Sequence, residues 1–179
     1  MARLYTYGNR LTVTRQNHWL PGRFASAWGV NLSAPAVKDP ALAVEYGEIV
    51  ALSGGGQNAN AYVIGRVAGN STVFGVILRT TDGQISMEGA WVETPRTHTP
   101  LSVFPLGTAP NYFTVAVPLQ AGQTPVVGEA VFVGTGAGVE GAVRTNDTNG
   151  TALTGWVFAS TSYQPTDSDS LVVLIQKSV

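Results

Sequence analysis

Apolar residues along this chain fall in short runs, and glycine, proline or asparagine lies between most of them. In the first half the runs lie at 48–53, 61–67 and 73–80; in the second they lie at 111–119, 129–133, 138–144, 152–159 and 171–176. Sustained helical periodicity is absent, and the runs are of strand length and rich in Val, Ile, Thr and aromatic residues, so the pattern predicts β-strands throughout. At 111–119, Tyr112, Thr114 and Ala116 alternate with Phe113, Val115 and Val117, and Pro118 marks the end. Gly69-Asn70, Asp82-Gly83 and Asn149-Gly150 supply hairpin turns, because these residues tolerate positive φ. The turn at Asp82-Gly83 predicts a returning strand over 84–92, residues 54–60 read as a flexible glycine-rich turn, and 163–170 forms the last loop. One helical turn is expected within 40–46, ended by Gly47. The segment 93–110 carries Pro95, Pro100, Pro105 and Pro110 and reads as a connector, with 101–104 as an edge strand. The fold class expected is all-β, a short-stranded barrel or sandwich.

The runs also repeat. Gly47-Glu48-Ile49-Val50 matches Gly128-Glu129-Ala130-Val131 at an offset of 81, and Gly75-Val76-Ile77 matches Gly155-Trp156-Val157 at an offset of 80. This predicts two related β units, 46–92 and 127–176, as two small barrels or two halves of one.

Residues 1–45 do not share this grammar. Apart from a short strand at 11–14, Pro21-Gly22, Pro35 and Pro40 prevent any long regular element there. The expected organisation is an extended N-terminal arm over 1–45 and a β-rich body over 46–179. Charge separates the two. Residues 1–38 contain Arg3, Arg10, Arg15, Arg23 and Lys38 and no acid, whereas the remainder carries a net charge of −6. Tyr5, Tyr7, Trp19, Phe24 and Trp28 are interleaved with those arginines, which is unusual in a disordered tail. The arm therefore reads as docked, on its own body or on a neighbour. The plainer alternative is a first strand and loop packed into the same core. The candidate partner-contact residues are Arg3, Tyr5, Tyr7, Arg10, Arg15, Trp19, Arg23, Phe24 and Trp28, because a basic arm on an acidic body suits protein association.

Composition narrows the chemistry. The chain has no cysteine, which excludes disulfides, thiolate metal sites and a thiol nucleophile. Charged residues make up 12%, half of the roughly 25% usual in soluble domains, and Gly is abundant at 21 residues. Gly136, Gly138 and Gly141 match the spacing of a dinucleotide-binding loop, but residues 142–150 do not form the helix that loop needs, so they read as turn glycines and no cofactor is expected. His18 and His98 lie apart in Pro-rich segments, and Asp147, Asp167 and Asp169 lack calcium-loop spacing, so no metal is expected. No nucleophile elbow or phosphate loop is present, and Glu88 and Glu93 fall on opposite faces of a straight strand. No enzyme is expected. Met1–Tyr5 is not followed by the apolar segment of a secretory signal, and no run is long enough to cross a bilayer as a helix, so no membrane partner is expected. Five cations spread over 38 residues make a poor nucleic-acid footprint. Trp91 and Trp156 suit either core packing or a sugar-stacking platform, which keeps a carbohydrate-binding module as an alternative.

One resemblance to a known family is carried by these residues. Val127-Gly128-Glu129-Ala130-Val131-Phe132-Val133, a glycine-rich turn, Gly155-Trp156-Val157-Phe158 and the closing run 171–175 resemble the capsid cement, or decoration, proteins of tailed bacteriophages. Residues 47–51 and 74–78 look similar, so the pattern covers about 40–179. The resemblance implies a non-enzymatic virion protein, made in the host cytoplasm and bound to the outside of an icosahedral shell. There it would bridge major capsid protein subunits as a dimer or trimer, with an N-terminal arm laid over its partners. A tail or fibre component would share these features.

Overall fold

The computed structural model of the protein describes residues 22, 34–38, 44–57, 62–69, 71–78, 101–165 and 171–179. Ten strands form in chain order: β1 (Ala34–Lys38), β2 (Ile49–Gln57), β3 (Tyr62–Gly65), β4 (Val73–Ile77), β5 (Leu101–Pro105), β6 (Thr114–Pro118), β7 (Ala130–Gly134), β8 (Val143–Arg144), β9 (Gly150–Phe158) and β10 (Val172–Lys177). A 3-10 turn, Leu106–Thr108, follows β5. The all-β expectation holds.

The strands form two units with one pairing scheme. In the first, β3-β2-β4-β5 is an antiparallel sheet, and β1 joins both of its ends, parallel to β3 and antiparallel to β5. In the second, β6-β10-β9-β7-β8 is antiparallel throughout, and a parallel bridge from Leu119 to Val143 brings the end of β6 to β8. Both units therefore pair their five strands in the same cyclic order. The registers agree as well. Ala34 faces Val103 as Val115 faces Ile175, Ile49 faces Val76 as Ala130 faces Val157, and Leu52 faces Ile64 as Val133 faces Val143.

The lead-in to each unit repeats to the hydrogen bond. Gly47 N donates to Ile77 O at 2.8 Å, and Ile77 N to Glu48 O at 3.0 Å. Gly128 N donates to Phe158 O at 2.8 Å, and Phe158 N to Glu129 O at 3.0 Å. Gly47 and Gly128 both hold positive φ, 83° and 91°, which L-residues adopt only with strain. These bonds correct the second sequence match. Ile77 corresponds to Phe158, so Gly75 corresponds to Trp156 rather than to Gly155. The apparent offset of 80 arose because β9 carries two residues more than β4 between matched partners. β4 runs from Val73 to Val76 where β9 runs from Ala152 to Val157. Gly155, at φ 77°, lies in that bulge.

The same equivalence organises the core. Val50, Ile64, Ile77 and Val103 pack together inside the first unit, and their counterparts Val131, Val143, Phe158 and Ile175 are buried inside the second. Ile49, Ala51, Val76 and Phe104 point to the other face of the first unit, where they join the core of the second. Phe104 stacks on Phe113 across this junction, with ring centroids 4.4 Å apart. Strands of the first unit are thus covered on both faces, which is why they read as unbroken apolar runs.

Several expected boundaries move. β2 continues through Gln57, so Gly54, Gly55 and Gly56 lie in a strand and not in a flexible turn; the pairing shift between Leu52 and Gln57 absorbs them as a bulge. β5 is interior, paired to β4 and β1, and not an edge strand; its prolines did not decide its place. The run 138–144 supplies only the two residues of β8, because Gly138 and Gly141 take positive φ and turn the chain. Residues 111–113 turn before β6, with Tyr112 at φ 65°. The strands expected at 11–14 and 84–92 and the turn at Asp82-Gly83 lie outside the described residues, as do His18, His98, Glu88, Trp91, Glu93, Asp167 and Asp169. β1 falls within the segment expected as an arm.

Candidate functional site

The two units meet where the lead-in of β2 touches the turn between β7 and β8. Ile49 N donates to Gly141 O at 2.9 Å, and Arg66, just past β3, reaches Glu140 across the seam, with Nη1 3.3 Å from Oε2. The same Oε2 accepts the Gly138 N–H at 2.7 Å, and hydrogen bonds from the backbone hold the Glu140 carboxyl below its ordinary pKa. A Cβ on Gly141 would stand 2.8 Å from Ile49 O, so only glycine permits this approach. Of the three glycines whose spacing matched a dinucleotide loop, Gly141 is therefore the joint between the units, and no helix follows in residues 142–150.

Glu48 lies in this seam, its Oε2 accepting the Glu45 N–H at 2.9 Å. Burial pushes its pKa from 4.5 up to about 7, an effect that neighbouring Glu45 and Glu140 reinforce and the Glu45 N–H and Arg66 oppose. Sequence reasoning gave Glu48 no role. The offset match placed it in a repeated turn, but burial came only with the second unit.

On another side of the junction a cleft of about 300 Å³ is lined by Ser71, Thr72, Leu106, Thr151, Thr154 and Lys177 among others, with Trp156 in its floor. Trp156 is only 3% exposed and belongs to the core, with Lys177 Nζ 5.9 Å from its ring centroid. A sugar-stacking face is thereby closed to it. Arg144 is buried beside the Asn149-Gly150 turn, donating from Nη1 to Asn149 O at 3.3 Å and from Nη2 to Asn146 Oδ1 at 3.1 Å. It braces that turn. Among the described residues no group of three His, Asp or Glu side chains could hold a metal ion, and no helix is long and apolar enough to cross a membrane.

The nine candidate contact residues, Arg3, Tyr5, Tyr7, Arg10, Arg15, Trp19, Arg23, Phe24 and Trp28, lie outside the described residues. Within the same stretch, Gly22 is described. It is buried, holds φ 76°, and donates its N–H to Ala116 O at 2.8 Å. Ala116 lies in β6, which ends the hydrogen-bonded order of the second sheet.

These features define a β scaffold of two like-paired units that share one seam, with Glu140 and Arg66 across it and Arg144 at a turn. Comparison with known proteins agrees. Residues 9–176 match the model of the structural cement protein family described by E217 gp24 and Pam3 gp6. The chain therefore belongs to the phage structural cement proteins; it is a structural virion protein that binds and stabilises a capsid. No curated protein matches it. Among solved structures it is similar to a chain from the capsid of Myoviridae phage XM1, with a TM-score of 0.63 and 17% identity over 90% of this chain and 91% of that one. At that identity the likeness establishes the fold.

Proposed function

We propose that this protein binds the outer surface of an icosahedral phage shell and bridges neighbouring major capsid subunits, acting by adhesion and without catalysis. The observation that carries this reading is the family match across residues 9–176, which includes Arg10, Arg15, Trp19, Arg23, Phe24 and Trp28. Within residues 1–45, the part that precedes β1 is the proposed arm, since β1 pairs inside the first unit. Its aromatic residues would be buried against capsid subunits, at about 25 cal/mol per Å² of apolar area removed from water before ordering costs. Its arginines would pair with acidic shell surface. The β-rich body is the rigid piece that spans the junction. Protein partners alone are proposed, with neither nucleic acid nor membrane.

The test begins with a density gradient of native lysate, following this chain by mass spectrometry. It is expected to travel with particles in fixed ratio to the major shell protein; recovery only as a small species would refute the reading. Deleting residues 1–30 leaves β1 in place and removes the Gly22 bond to Ala116. The truncated protein is expected to stay folded by circular dichroism and to lose particle binding. Full binding by the truncated chain would assign adhesion to the body instead.

A further inference from the structure

The two units share one pairing scheme, so the places where they part are places the scheme does not dictate. One is the cross-strand pair Trp156 and Lys177, on β9 and β10; the first unit has Gly75 and Pro105 at the same pairing position. Another is the bulge in β9, two residues that β4 lacks. Both differences fall at the cleft beside the junction, whose lining includes Thr154, Trp156 and Lys177.

The cleft is built around a cation without a counter-ion. Among the described residues, Arg66 is held by Glu140, and Arg144 by Asn146 and Asn149. The half-buried Lys177 ammonium has no hydrogen-bond or ion-pair partner and is placed by the Trp156 ring, 5.9 Å from its centroid. Gly155, at φ 77°, leaves room for it, since a Cβ there would stand 2.9 Å from Nζ. No Asp or Glu lines the cleft, while Ser71, Thr72, Thr151 and Thr154 bring hydroxyl groups to it. An ammonium among hydroxyl donors recognises an anion through charge-assisted hydrogen bonds. At about 300 Å³ the cleft is at the small end of ligand pockets and suits one inserted side chain.

We infer that this cleft receives an Asp or Glu side chain of a major capsid subunit, with Lys177 as its counter-ion. The inference rests on the shell-binding reading above and adds a contact on the body to those of the arm. Charge favours a carboxylate carried by a protein over a free anion. The chain from Asp39 onward is net −6 and repels small anions, whereas a carboxylate on a partner is held at the cleft by the partner's other contacts. The acidic shell surface proposed to meet the arm's arginines would supply it.

The chain has lysines only at Lys38 and Lys177, which makes a zero-length carbodiimide an unambiguous probe, because it joins an amine to a carboxyl group in direct contact. On decorated particles it is expected to link Lys177 to an Asp or Glu of the major shell protein. Lys177→Met keeps the apolar stem over Trp156 and removes the charge. It is expected to melt with wild type, to bind particles about tenfold more weakly, and to lose part of the dependence of binding on salt. Wild-type binding by this variant, or a Lys177 link only to a second copy of the chain, overturns the inference and leaves shell binding standing. Stabilisation of the isolated chain by inorganic phosphate that depends on Lys177, with no link to the shell, would assign the cleft to a free anion and also overturn it. A wild type that does not sediment with particles refutes the shell-binding reading, and this inference with it.

Discussion

Glu48 is the residue whose chemistry departs furthest from its surface counterpart. Burial in the seam makes its neutral form the favoured one, with its pKa raised from 4.5 to about 7. Between those two values the folded protein holds a proton that the unfolded chain releases. Its contribution to stability is therefore fully present below about pH 4.5 and is lost as pH rises towards 7. The loss is at most about 3 kcal/mol for a shift of this size. Glu48→Gln keeps an acceptor for the Glu45 N–H and removes the buried charge. It is expected to raise the melting temperature at pH 8, to change little at pH 4.5, and to flatten the profile between them. Thermal melts across that range check this, and an unchanged slope would show that Glu48 titrates as an exposed acid. Trp156 belongs to the same scale. Its place in an apolar strand suited either core or platform, and its burial assigns it to the core.

At the scale of elements, turns and close strand contacts depend on particular glycines. Gly138 and Gly141 sit in one turn at nearly the same φ, 83° and 81°, yet a Cβ on Gly138 meets nothing within 4 Å while one on Gly141 meets Ile49 O at 2.8 Å. Gly138→Ala should cost about 1–2 kcal/mol, the strain of a left-handed residue. Gly141→Ala adds a backbone clash across the seam and should cost about 2–4 kcal/mol. Denaturant melts of the two variants separate strain from clash, and equal losses would mean that the seam yields freely. Gly75 makes a related point between strands. An added Cβ would lie 2.5 Å from Phe104 O and from Val103 Cγ1, so Gly75→Ala should push β4 from β5 and cost about 1–3 kcal/mol by the same measurement.

For the whole molecule, the central fact is duplication with one shared seam. The core of the second unit continues into the outer face of the first, so the two should unfold together rather than in sequence. Phe104→Ala removes half of the stacked pair at the junction and is expected to cost about 3–5 kcal/mol while keeping a single transition. Two resolved transitions in calorimetry would show that the units are energetically separate. On the particle, a cement protein should raise the temperature at which the shell releases its contents, and particles stripped of it should open sooner in a dye-release melt. If the arm's arginines supply the adhesion proposed here, binding should also weaken as ionic strength rises from about 0.05 to 0.5 M, because screening shortens to a few ångströms over that range.

Strand-length apolar runs, turn glycines and the match at Gly47 and Gly128 made the fold class and a repeat readable from local chemistry. Period-two patterning and positive-φ turns are short-range properties, so a linear sequence can carry them. The family resemblance was readable for the same reason, since its motifs are turns and strands. Other features depended on which surfaces come together. β5 looked like an edge strand because prolines surround it, yet β1, more than sixty positions earlier, pairs along it. The match at Gly155 was one residue out of register because a bulge is indistinguishable from a strand until its partner is known. Glu48 and Glu129 occupy the same local turn, yet the first is half-buried at the seam and the second exposed. Burial and the pKa it shifts are properties of pairs of surfaces, and those pairs exist only once the chain has folded.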